Sequence, residues 1–182
     1  MKQIKKKKIF SNEVFDVYKN NFILKNKQLV KDYLSVEPNK KFNKSGGVMV
    51  LPIQNQKIGL MKVYYPIINN YLFSLPQGFC DKGEIFKNAA KRELEEETGF
   101  IVKKKNLQLL TKFYPNPSMI NSKITIFITS DLTKKVRKKS CNVEIGVGKM
   151  SFFSENQIMS LIRKKNFDLI SLSAILFYYL KK

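Results

Sequence analysis

The sequence predicts an α/β protein, a mixed sheet between helices, preceded by a small N-terminal antiparallel β segment. Three observations lead there. Short runs of alternating apolar and polar residues recur on both sides of residues 78–100, the pattern of half-buried strands. Residues 78–100, GFCDKGEIFKNAAKRELEEETGF, carry a central helix bounded by glycines. Two segments near the C-terminal end repeat apolar residues at helical spacing and close the domain.

Taken in order, residues 13–19 and 22–24, then Gln28 to Val36, read as antiparallel strands joined by the KNKQ turn. PNKKFNKSGG, from Pro38 to Gly47, is polar and turn-rich and reads as a linker. VMVLPI (48–53), a turn at QNQK and IGLMKVYY (58–65) form a hairpin of buried strands. Leu72 to Leu75 lead through Pro76 into the acidic segment, and LQLLTKFY (107–114) and KITIFITSDL (123–132) add two strands. Ser154 to Lys164 and Asp168 to Leu180 are the closing helices.

The acidic segment carries the chemistry. At about 100° per residue, Glu93, Glu96 and Glu97 fall within an arc of roughly 100°. Ile85, Phe86, Ala89 and Ala90 share that arc, whereas Lys87, Asn88, Lys91, Glu95 and Thr98 lie opposite. An ordinary amphipathic helix separates its acids from its apolar stripe; here both point toward the body of the domain. Crowded carboxylates that lose water need a compensating charge. Arg92 lies beside them and can neutralise one, not three. Hard oxygen ligands at this density suit Mg²⁺ or Mn²⁺. A solvated acidic patch is the competing reading of ELEEE taken alone.

The surrounding residues decide between the two, because they resemble the Nudix hydrolase signature. A glycine is followed after five residues by Glu, and seven residues later by Arg-Glu-apolar-any-Glu-Glu-any-Gly-apolar. Gly78, Glu84, Arg92, Glu93, Leu94, Glu96, Glu97, Gly99 and Phe100 match every fixed position. The resemblance implies a Nudix-type α/β/α sandwich and a loop–helix–loop that binds divalent ions and hydrolyses a diphosphate linked to another group. Such ions neutralise phosphate charge that would repel a nucleophile and acidify bound water, and a carboxylate removes the proton. By that analogy Glu93 and Glu97 are direct metal ligands, and Glu96 ligates a further ion or holds a coordinating water. Glu84 and Arg92 orient the cluster. Gly78 and Gly99 serve tight turns and close approach to phosphate, and Gln77 and Gly78 are the substrate contacts.

Composition sets the remaining bounds. The 182 residues suit one domain with a full core. Two cysteines, Cys80 and Cys141, form no disulfide framework or metal spacing and read as reduced thiols of a cytoplasmic protein. No histidine is present, so carboxylates must act as both base and ligand. MKQIKKKKIF is followed by no apolar signal core, and the apolar stretch Leu169 to Leu180 is too short for the roughly 20 residues of a membrane span. A net charge of +20 comes from lysine runs scattered along the chain. Such a surface attracts polyanions and keeps RNA in view as a partner.

The N-terminal strands, the 48–65 hairpin, YPNPSMINSKITIFIT and LISLSAILFYYL together resemble the ADP-ribose pyrophosphatase branch. Residues 1–44 then form an extension that serves as a dimerisation element, and 45–182 the hydrolase domain; cover for a sheet edge is the plainer role for the extension. Two positions depart from that branch. Tyr65 stands where many members have arginine, and Ser74 where they have glutamate, positions that help recognise the nucleotide. LPQG (75–78) echoes instead the Pro-Gln-Gly of RNA and dinucleoside-polyphosphate pyrophosphohydrolases. For the general base, Asp131, Glu144, Glu155 and Asp168 are available; Glu144, before IGVGKMSF, leads, with a carboxylate of the motif as the alternative. Phe113 and Tyr114 are core residues by their strand spacing, or else a stacking platform for a base. The expectation is a Mg²⁺-dependent (or Mn²⁺-dependent) pyrophosphohydrolase acting on ADP-ribose or a related ADP compound as a homodimer, with no membrane partner. Dinucleoside polyphosphate or RNA 5′-pyrophosphate hydrolysis, and a catalytically silent nucleotide- or RNA-binding regulator, are the alternatives.

Overall fold

The computed structural model describes residues 1–134 and 148–182. Three N-terminal strands, β1 (Lys2–Ser11), β2 (Phe15–Ile23) and β3 (Leu29–Pro38), form an antiparallel sheet in that order. The main sheet follows, built from β4 (Phe42–Gln54), β5 (Lys57–Tyr65), β6 (Asn70–Ser74), β7 (Gln77–Asp81), β9 (Gln108–Phe113), β10 (Lys123–Thr129) and β12 (Ser151–Phe153). Its path runs β12-β5-β4-β10-β9, with β6 added to β5 and β7 to β4. The β4–β10 pair is parallel and the other pairs are antiparallel, so the sheet is mixed. Two short strands, β8 (Phe100–Ile101) and β11 (Thr133–Lys134), pair apart from it.

Alternation along β4 divides the core into two layers. Val48 and Val50 pack with Ala89, Ala90 and Leu94 of helix α1 (Phe86–Thr98), and with Phe127. Met49 and Leu51 face the other way, toward Ile158 of α2 (Glu155–Arg163) and Ala174 and Ile175 of α3 (Leu169–Lys181). A strand with both faces covered reads as a continuous apolar run, which is why VMVLPI looks as it does. The result is an α/β/α sandwich preceded by the N-terminal sheet, as the sequence predicts.

Local chemistry explains the ends of the elements. Asn55 and Gln56 both take positive φ, 49° and 59°, the two-residue turn that suits the twist of a hairpin. Ser154 and Gln157 cap α2 reciprocally. The Asp168 carboxylate accepts the Ile170 and Ser171 amides at 3.0 and 2.9 Å to start α3. Among the described residues no helix is long and apolar enough to cross a membrane.

One expectation needs correction. The 38–47 segment is no linker, because β4 already begins at Phe42 and its glycines lie inside the sheet. A Cβ at Gly47 would sit 2.5 Å from the Gly78 carbonyl oxygen, and one at Gly46 would overlap the backbone of Lys123. These glycines admit backbone neighbours on both sides. The lysine-rich N-terminus is also a strand, β1, with all ten residues exposed. It has no buried face, so its sequence shows no alternation.

Loop 114–121 ties the two sheets together. The Val36 amide donates to Met119 O at 2.8 Å, the Asn121 amide to Val36 O at 3.1 Å, and the Tyr33 hydroxyl to Ser118 O. Phe113 packs edge-on against Phe177 in the core. Tyr114 is exposed, with Lys123 Nζ 4.9 Å from its ring centre. It borders a cleft of about 280 Å³ between loop and N-terminal sheet, to whose lining the acidic helix contributes no residue.

Candidate active site

Helix α1 turns its acids inward to different depths. Glu93 is 7% exposed, Glu97 half-buried, and the Glu96 side chain 59% exposed at the rim. Leu94, at 0% exposure, extends the buried face beyond the predicted arc. Ile85 is the N-cap residue and stays exposed, contrary to its predicted place on that arc. The helix stops at Gly99, whose φ of 72° suits glycine, and whose amide donates to Glu95 O.

Arg92 organises the cluster. Its Nη1 donates to Glu93 Oε1 at 2.7 Å and to Glu96 Oε2 at 3.2 Å. Nη2 donates to Glu84 Oε2 at 3.1 Å and Phe79 O at 2.9 Å, and Nε to Glu84 Oε1 at 3.3 Å. One guanidinium thus holds three carboxylates, because it carries five N–H donors in a planar fork, while its single charge still balances only one of them. Burial pushes Glu84 up, but the hydrogen bonds from Arg92 and the Asp81 amide outweigh it and hold the carboxyl below its ordinary range. Glu84, contributing most, and Glu93 raise the Arg92 pKa against the effect of burial, so the guanidinium is permanently charged.

Strand β7 supplies the floor. The Gln77 amide donates to Glu97 Oε2 at 2.9 Å. Gly78 lies in strand, not in a tight turn, and its missing Cβ makes room for Glu93: a methyl there would overlap that carboxylate. The glycine gives room to an acid of the same motif in its observed rotamer, and its φ is not positive.

Structure therefore brings together Glu84, Arg92, Glu93, Glu96, Glu97, Gln77 and Gly78. Glu144 and Cys141 lie outside the described residues. Among the other acids weighed as a base, Asp168 caps α3, Asp131 accepts from the Asn106 side chain, and Glu155 pairs with Lys182 at 3.6 Å. The Phe79 carbonyl, which anchors Arg92, was not foreseen, since a backbone acceptor leaves no mark in residue type. Tyr65 and Ser74 meet each other, the Tyr65 hydroxyl donating to Ser74 Oγ at 3.4 Å. Burial raises the Tyr65 pKa, reinforced by the charges of Asp168 and Glu97, so this ring lies within electrostatic reach of the acids.

The donors suit a hard divalent cation. Arg92, Glu84, Glu93, Glu96 and Glu97 together carry one positive and four negative charges, and all the donor atoms are oxygen. Among the described residues no three acidic or cysteine side chains already converge on one point as ligands. Glutamate side chains have three rotatable bonds, and gathering Glu93, Glu96 and Glu97 is a matter of rotamers on one helix face.

The chain is similar to known proteins along most of its length. A NUDIX domain model matches residues 44–171. The ADP-ribose pyrophosphatase of Bacillus subtilis (strain 168) is 29% identical over 182 residues, which is 100% of this chain and 94% of that protein. The methanol dehydrogenase activator of Bacillus methanolicus is 25% identical over the same 182 residues, with the same coverage of 100% and 94%. A crystal structure of an ADP compounds hydrolase superposes with a TM-score of 0.78 at 21% identity, covering 98% of this chain and 91% of that one, a likeness of fold.

Proposed function

This chain belongs to the Nudix family and is a Nudix hydrolase acting on pyrophosphate bonds, and from that premise we propose that it cleaves ADP-ribose or a related ADP compound with the help of Mg²⁺ or Mn²⁺. The full-length similarity to a protein named ADP-ribose pyrophosphatase favours this substrate over dinucleoside polyphosphates and RNA 5′ ends. It also favours catalysis over a silent regulator. The single observation that carries the metal reading is the cluster of Glu84, Glu93 and Glu96 on Arg92 with Glu97 held beside it by the Gln77 amide, and with Glu93 drawn over a glycine.

In this mechanism Glu93, Glu96 and Glu97 hold the cation. A bound divalent ion supplies positive charge against the pyrophosphate oxygens, lowering the cost of nucleophilic approach. The protein does the rest. Arg92 and Glu84 fix the ligand-bearing face of α1 against β7, and Arg92 is tied to the Phe79 carbonyl. The Gln77 amide restrains one oxygen of Glu97. Gln77 and Gly78 border the acids and are assigned to the substrate's phosphates. Glu144 is assigned the water proton, with a motif carboxylate as the alternative. We further propose a homodimer through the N-terminal sheet, where Phe10, Leu29 and Leu34 are 56%, 44% and 50% exposed.

A panel of ADP-ribose, other ADP-linked compounds, diadenosine polyphosphates and 5′-triphosphorylated RNA, with Mg²⁺ and product identification, tests the substrate. AMP released fastest from ADP-ribose or another ADP compound supports the reading; preferential turnover of RNA ends or dinucleoside polyphosphates refutes it.

A further inference from the structure

Ser171 lies in the first turn of α3, on the opposite side of the sheet from α1, and is wholly buried. Its Oγ accepts the Leu75 backbone N–H at 2.8 Å and lies 3.5 Å from Ser74 Oγ. Ser74, also buried, accepts the Gln77 side-chain amide at 3.2 Å. These contacts fall at a break in the strand pairing. The β5–β6 register ends at Met61↔Ser74, and the β4–β7 register starts at Met49↔Gln77. Leu75 and Pro76 lie between, with the Pro76 carbonyl accepting the Val50 amide at 2.9 Å.

The Leu75 N–H thus has no strand partner and is buried, a condition that demands an acceptor. A side chain from α3 provides it. Two residues later the next free amide, that of Gln77, holds Glu97 at 2.9 Å. The four residues 74–77 therefore bind α3 at one end and orient an acid of α1 at the other. Asp168 steadies the α3 end, accepting the Ser171 amide while its own amide donates to Phe73 O at 3.3 Å.

We propose that Ser171 is a positioning residue for Glu97, acting across the sheet through the Ser74–Gln77 turn. Loss of its hydroxyl leaves the Leu75 N–H unsatisfied, the turn shifts to satisfy it, and the Gln77 amide no longer fixes the Glu97 carboxylate. The inference rests on the reading of Glu97 as a metal ligand, and it adds a determinant 74 positions away from that acid.

The test uses the full chain, Ser171→Ala and Ser171→Cys, with Mn²⁺ titrated calorimetrically and Mg²⁺ varied during ADP-ribose hydrolysis. In Ser171→Ala the Mn²⁺ dissociation constant rises about three- to tenfold, the range of coupling through packed elements. The Mg²⁺ concentration for half-maximal rate rises in proportion, while KM at saturating Mg²⁺ changes by less than about twofold, since uniform substrate binding is untouched. Ser171→Cys fills similar space with a weaker acceptor and falls between the two; it carries the test should the alanine variant not fold. Wild-type Mn²⁺ affinity in either folded variant overturns the proposal. If that result comes with loss of Mn²⁺ binding in Glu97→Gln, only the role of Ser171 fails. If wild-type protein takes up no Mn²⁺, the reading of the acids fails and this inference with it.

Discussion

The N-terminal sheet and helix α1 each bury one acid, Asp16 and Glu93, and they pair their acids differently. In the sheet the pairing is one lysine to one acid: Lys8 with Asp16 at 2.8 Å, Lys6 with Glu37 at 2.6 Å, Lys19 with Asp32 at 2.9 Å. The hydrogen bond from Lys8 holds the Asp16 carboxyl below its ordinary range, helped by the Ser11 hydroxyl. At α1 three carboxylates converge on one guanidinium, Glu93 and Glu96 from the helix and Glu84 from just before it. Matched charges are the economy of a scaffold. Three acids gathered on one guanidinium are the arrangement that the proposed cation site would use, and the two regions differ in that gathering.

The largest effect is expected from breaking the crowded side. Glu97→Gln should lower turnover about a hundred- to a thousandfold, the scale of losing one element of electrostatic stabilisation, with a circular dichroism spectrum like wild type. Asp16→Asn in the matched sheet should keep turnover per folded chain within about twofold, as distant sites act independently. Equal losses in both would erase the distinction drawn here.

A smaller effect sharpens the role of the sheet. Leu34→Glu puts a charge on its exposed apolar side, and self-association measured by sedimentation should weaken about tenfold, or some 1.4 kcal/mol. A monomeric wild-type protein would leave the sheet as edge cover alone.

The smallest effect is a shared response to acid. Asp16 and Glu84 both have folded pKa values below the ordinary range. A depressed carboxyl lends stability above its unfolded pKa, about 4, and loses it as pH falls through the folded value. Thermal melts should therefore be level above about pH 5 and fall progressively below about pH 4. Asp16→Asn should flatten part of that fall; an unchanged profile would show that the Lys8–Asp16 pair contributes nothing.

Much of the site was legible because its chemistry depends on spacing along one helix. Glu93, Glu96 and Glu97 declared themselves by sharing an arc with Ala89 and Ala90, and Glu84 and Arg92 by their fixed offsets. The hairpin at Asn55–Gln56 and both closing helices were readable from turn residues and apolar period. What stayed hidden depends on partners distant in the chain. Strand β1 exists because β2 offers it an edge, and its lysines erase any alternation. Gly78 looked like a turn residue, although its neighbour in space is Glu93. Ser171 is one serine in an apolar helix until Leu75 is seen beneath it.

Gly46 and Gly47 have a further consequence for how this molecule can change. With Lys123 against one and Gly78 against the other, β4 meshes with its neighbours like a toothed rack. Sliding β7 by a single tooth would bring a side chain under the Glu93 carboxylate in place of Gly78 and abolish the seat of that acid. Insertions or deletions after Gly46, inside the run paired residue for residue with β10, would thus misalign the catalytic floor, whereas the stretch between Phe42 and Gly47 already departs from the β7 register and is where added length could be absorbed.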